Sequence, residues 1–99
     1  MIQINENNFD AETKEGVVLL DFYADWCQPC KMLVPALEGI TGVKVCKVNI
    51  DTQSALATKF KVASIPTLVF LKDGVPMDTM VGLQSAQILQ AKVDEVAAK

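Results

Sequence analysis

Residues 17–35, VVLLDFYADWCQPCKMLVP, decide how this chain folds. Val17 to Phe22 form a nearly continuous apolar run, the pattern of a central strand covered on both faces. A single carboxylate, Asp21, interrupts it. Past the end of the run Cys27 and Cys30 bracket Gln28 and Pro29, and Met32, Leu33, Ala36, Leu37 and Ile40 then recur at helical spacing. The stretch predicts a strand, a turn carrying two thiols, and a helix from Cys27 to about Ile40. Pro29 fits the first helical turn, whose amides need no intrahelical acceptor. Pro35 falls inside the helix and is expected to bend it.

The flanks extend the alternation of strands and helices. IQI (2–4) is a short strand candidate, and NNFDAETK (7–14) reads as a short helix closed by Gly16. VKVCKVNI (43–50) is a valine-rich strand in which Lys47 shares one face with Val43, Val45 and Asn49, while Cys46 shares the other with Val48 and Ile50. TQSALATKF (52–60) has helical character with Leu56 and Phe60 on one side. TLVFL (67–71), the turn Lys72-Asp73-Gly74 and PMDTMVG (76–82) form a hairpin. Ser85 can cap a last helix whose apolar face is Ile88, Leu89, Val93, Val96 and Ala97. Such an order predicts one α/β domain, residues 1–99, built around a mixed sheet.

Composition excludes several chemistries. The chain has 99 residues, 51% of them hydrophobic, and a formal charge of −3 with nine lysines, no arginine and no histidine. Without a basic run or an arginine fork there is no nucleic-acid surface. Without histidine there is no Ser–His or Cys–His pair. No segment offers about 18 continuous apolar residues, and the first ten residues lack the basic start and apolar block of a signal peptide. A soluble, cytoplasmic protein is expected.

Three cysteines suit a reactive pair plus one spectator better than a disulfide framework. Cys27 falls where the first helical turn leaves amides without carbonyl partners and where the macrodipole favours negative charge. A thiol there ionises more readily, and the thiolate is the reactive form. Cys30 lies on the same helical face, within reach. One sulfur can attack an outside disulfide and the other can resolve the mixed disulfide. A zinc site would need four ligands, and only Cys46 remains; Cys46 itself reads as a small buried hydrophobe. Two merely buried cysteines fit badly beside Trp26, Gln28, Pro29 and Lys31. For Asp21 the residues leave two readings open: a buried carboxylate with a raised pKa, or one that reaches solvent at the strand end.

DFYADWCQPCKMLVP (21–35) resembles the active-site segment of the thioredoxin family, with Gln28 where most members carry glycine. The resemblance continues through KVNID (47–51), SIPTLVFLKDG (64–74) and Val81-Gly82, in the family's order and nearly its spacing, and covers essentially the whole chain. The segment between Pro35 and Lys47 is shorter than in typical bacterial members. The resemblance implies a thioredoxin fold, a central mixed five-stranded sheet flanked by about four helices. It implies that Cys27 is the attacking thiolate and Cys30 the resolving thiol of a redox disulfide, that Asp21 transfers a proton beneath them, and that Lys47 neighbours Asp21. Pro66 matches a proline whose preceding peptide bond is cis. Trp26, Gln28, Pro29, Ile65, Pro66 and Gly82 match the surface on which targets dock.

The activity so implied is reduction of disulfides in other proteins by a monomer without bound cofactor or metal, recycled by a thioredoxin reductase. Two other classes remain in view. Gln28 could tune the pair toward an oxidant or isomerase, against which the absent signal segment counts. A non-catalytic binding subunit could use the Trp26, Pro66 and Gly82 surface alone, although both cysteines are retained.

Overall fold

A computed structural model describes all 99 residues, Met1–Lys99. The elements follow in the order β1 (Ile2–Gln3), α1 (Phe9–Thr13), β2 (Val17–Tyr23), α2 (Gln28–Glu38), β3 (Lys44–Asn49), α3 (Ser54–Lys59), β4 (Thr67–Lys72), β5 (Val75–Val81) and α4 (Ala86–Ala97). The strands form one sheet in the order β1-β3-β2-β4-β5. The apolar run around Asp21 is its middle strand, parallel to β3 and antiparallel to β4. Five mixed strands and four helices match the architecture expected from the sequence.

The period of two along each strand divides the core into two layers. On one face Val18, Leu20 and Phe22 of β2 join Cys46 and Val48 of β3, Val69 and Leu71 of β4, Phe9 of α1 and Leu56 of α3. On the other face Leu19 joins Leu68 and Phe70, covered by Leu33 and Leu37 of α2 and by Leu89, Val93 and Val96 of α4. The expected alternation in β3 holds. Cys46 is fully buried in the first layer, where desolvation pushes its thiol up to about 11 and leaves it inert at neutral pH.

Three residues assigned to apolar helix faces lie outside. Met32 is 56% and Ile88 49% exposed, and Ala97 is exposed as well. Helical spacing defines a stripe, but the sheet covers only its middle: Leu33 and Leu37 in α2, Leu89, Val93 and Val96 in α4. The helix expected from Cys27 to Ile40 is Gln28–Glu38, with Cys27 as its N-cap and Gly39 as its C-cap.

The hairpin turn is set by backbone conformation. Asp73 and Gly74 both have positive φ, 51° and 83°, the pairing of a two-residue turn whose twist matches the flanking strands. Asp73 also accepts the Gly16 amide through Oδ1 at 2.8 Å and donates its own amide to the Gly16 carbonyl at 3.0 Å. The hairpin is thereby tied to the loop that feeds β2. At α4 the expected cap is present: Ser85 Oγ accepts the Ile88 amide at 3.2 Å. Ser85→Ala is expected to lower unfolding stability by about 1 kcal/mol, read as a lower urea midpoint at unchanged slope.

Candidate active site

β2 ends against α2, and the two thiols lie at that junction. Cys27 has extended backbone (φ −90°, ψ 108°), as an N-cap requires, and Pro29 falls in the first turn of α2 where its missing amide costs nothing. The Cys30 amide points back to Cys27 Sγ at 3.2 Å. A sulfur at this position therefore receives both a direct N–H donor and the positive end of the helix, each of which favours negative charge on it. Cys27 and Cys30 form a disulfide with their Cα atoms 5.3 Å apart, within the usual range. Ala24 packs under the pair, with Tyr23, Ile50 and Ile65 half-buried around it.

The open question about Asp21 is settled by its position. It is 0% exposed, and neither carboxylate oxygen has a hydrogen-bond partner. It follows Leu19 by two residues, so it faces the layer covered by α2, the helix that carries the thiols. Desolvation pushes its carboxyl up to about 6, with the Lys47 charge opposing it in part. Lys47 is directly opposite Asp21 in the β2–β3 register. Its ammonium lies 4.2 Å from the centroid of the Tyr23 ring. Lys47 lines a cleft of about 320 Å³ in which Tyr23, Ala24 and Asp25 meet Cys30, Lys31 and Val34 of α2.

The residues expected to form a docking surface come together unevenly. Gln28 and Pro29 are exposed beside the disulfide, and Trp26 is 68% exposed. Ile65 reaches the cysteine cluster from the other side, and the Ile65–Pro66 peptide bond is cis, as the resemblance implied. Pro66 itself is buried. Its carbonyl accepts the Gly82 amide at 2.8 Å, which joins the loop after β5 to the loop before β4. Gly82 has φ 92°; nothing approaches within 4 Å of where a Cβ would stand, so backbone conformation selects glycine there. Exposed Val81 and Leu83 flank it.

Sequence reasoning missed the group that anchors Trp26. Its indole N–H donates to Asp51 Oδ2 at 3.0 Å, and the Asp51 amide is held by Asn49 Oδ1 at 2.8 Å. The ring thus projects an apolar face to solvent while its polar atom is satisfied. Asp51 lay within the recognised KVNID segment, but only the folded β3 end brings it to Trp26. Tyr23 was also missed, although it follows Asp21 by two and so shares its face. No group of three or more histidine, cysteine, aspartate or glutamate side chains converges to hold a metal ion, and no helix is long and apolar enough to cross a membrane.

The thioredoxin family model matches residues 1–95. The chain is 42% identical over 100 residues to a thioredoxin of Bacillus subtilis and 40% identical to one of Staphylococcus haemolyticus, with 96% of each chain covered in both cases. Among solved structures, a mutant thioredoxin from Halobacterium salinarum superposes with a TM-score of 0.89 at 36% identity, covering 95% of this chain and 88% of that one.

Proposed function

The chain belongs to the thioredoxin family and is a thiol–disulfide oxidoreductase whose redox centre is a cysteine pair, and from that premise we propose that it reduces disulfides in other proteins with Cys27 as nucleophile and Cys30 as resolving thiol. The observation that carries the assignment is the Cys30 amide directed at Cys27 Sγ. It favours the thiolate on Cys27, the sulfur that must attack. In the first step Cys27 S⁻ attacks one sulfur of a target disulfide, a Cys27–target bond forms and the other target sulfur leaves as thiolate. Cys30 then loses its proton and attacks Cys27 Sγ. The Cys27–Cys30 bond forms and the second target thiolate departs. The target gains two electrons and the protein loses two.

Asp21 is the base for the second step and the acid for its reverse. Its carboxyl, raised to about 6, exchanges protons near neutral pH, and its face of β2 is the one under α2. Lys47 moderates that carboxyl. Trp26, Gln28, Pro29 and Ile65 form the docking face, and Pro66 and Gly82 hold its far side in place through their backbone bond. The whole chain, residues 1–99, acts as one domain, as a cytoplasmic monomer, and a thioredoxin reductase returns the pair to the dithiol.

The test is the reduction potential of the Cys27–Cys30 couple, measured by equilibration with glutathione buffers and alkylation trapping. A value below the glutathione poise of roughly −220 to −260 mV is expected. A value at or above that range would convert the reading to an oxidant or isomerase. Reduction of the oxidised protein by thioredoxin reductase and NADPH checks the proposed recycling.

A further inference from the structure

Tyr23 has no part in the chemistry above, yet it lies on the face of β2 that carries Asp21 and against the side chain of Lys47. It follows Asp21 by two residues on β2, and so lies on the same face. Lys47 is opposite Asp21 on the neighbouring strand, and its ammonium rests on the Tyr23 ring, 4.2 Å from the centroid. The ring is in turn tethered at its far end, where Tyr23 Oη accepts from Gln3 Nε2 at 2.9 Å. Gln3 pairs with Lys47 across β1 and β3, so three strands contribute to one fixture.

A lysine so placed has three places to put its charge. Bonded to Asp21, it would hold the carboxylate ionised and poor at giving a proton back. Withdrawn into water, it would leave Asp21 to its burial and hold it protonated. The structure shows neither: both Asp21 oxygens lack hydrogen-bond partners, and the ammonium is on the ring. We propose that Tyr23 is a positioning residue, whose ring face holds the Lys47 ammonium over the cleft beside Cys30, near enough to act on Asp21 through space and short of bonding to it.

Other groups around the carboxyl do not substitute for this arrangement. Asp25 and Lys31 line the same cleft with opposite charges, and Cys30, bonded to Cys27, adds none. β4 presents Leu68 opposite Asp21, and α2 and α4 present Leu33, Leu37, Leu89, Val93 and Val96 to that layer. Lys47 is the charge that opposes the effect of burial on Asp21. The attraction is between a cation and the negative face of the ring, so the hydroxyl contributes only the tether.

The inference rests on the proton-transfer role proposed for Asp21, but its test does not. The titration midpoint of the Asp21 carboxyl, followed by ¹³C NMR in the oxidised full chain, is measured in Tyr23→Phe, Tyr23→Leu, Lys47→Met and the Tyr23→Leu/Lys47→Met double variant. Tyr23→Leu is expected to raise the midpoint by about half a unit, which is about a threefold change in the ratio of protonated to ionised carboxyl at fixed pH. Tyr23→Phe keeps the ring face and stays with the parent. In the Lys47→Met background, Tyr23→Leu adds no further shift. A shift of equal size without Lys47 would mean that the ring acts on Asp21 independently of the lysine, and would overturn the proposal; so would a midpoint that stays or falls, a fall being what the loss of a water-excluding ring gives. If the leucine variant does not fold, Tyr23→Met takes its place. Failure of Asp21→Asn to slow the Cys30 step would sink the proton-transfer role, while the midpoints would still decide whether Tyr23 positions Lys47.

Discussion

A Cys30→Ser variant is expected to attack one target disulfide and go no further. Serine cannot form the second sulfur–sulfur bond, so the Cys27–target disulfide persists and turnover falls at least about a thousandfold, to background. Non-reducing electrophoresis and mass spectrometry should find one target covalently bound at Cys27, released by dithiothreitol. Cys27→Ser is expected to lose turnover to the same extent and to trap nothing. The asymmetry follows from the backbone rather than from exposure, since Cys27 is 5% and Cys30 3% exposed. Only Cys27 has the N-cap position and a helix amide directed at its sulfur. Adducts forming at Cys30 in the Cys27→Ser protein as readily as at Cys27 in the Cys30→Ser protein would overturn the assignment of the two roles.

That asymmetry was legible in the sequence because it is local. A strand of apolar residues followed within five positions by a cysteine and Gln-Pro fixes where the helix starts, and the start of a helix has one orientation of amides. The two faces of β3 were equally readable, because alternation depends on nothing outside the strand. What escaped depended on distance in the chain. Trp26 and Asp51 are 25 residues apart, and their bond arises only because β2 and β3 are parallel neighbours that end at the same edge of the sheet. The ammonium of Lys47 on Tyr23 has the same origin. Met32 and Ile88 failed for a different reason: a helical stripe shows which residues point one way, but the width of what covers it is a property of the partner.

Asp21→Asn is expected to stabilise the folded protein at pH 8 by about 3 kcal/mol while slowing the Cys30 step roughly a hundredfold. The carboxyl is raised from 3.8 to about 6 in the fold. Between those values the folded state binds more protons than the unfolded one, so stability falls as pH rises. The favourable contribution is fully present below pH 3.8 and lost as pH passes 6. A difference of about two units in pKa corresponds to about 3 kcal/mol. An asparagine amide resembles the protonated carboxyl in being neutral and of the same shape, so both carry a similar cost for unpaired buried atoms. The variant should therefore match the parent near pH 4 and exceed it at pH 8, where the melting temperature rises by roughly 10–20 °C for a domain of this size. Urea unfolding at a series of pH values is the check. Parallel curves for the two proteins from pH 4 to 8 would mean that Asp21 is not ionised at a cost in the fold, and would remove the basis for its role as a base. The same burial that makes this carboxylate costly at neutral pH is what places its proton affinity where a thiol can use it.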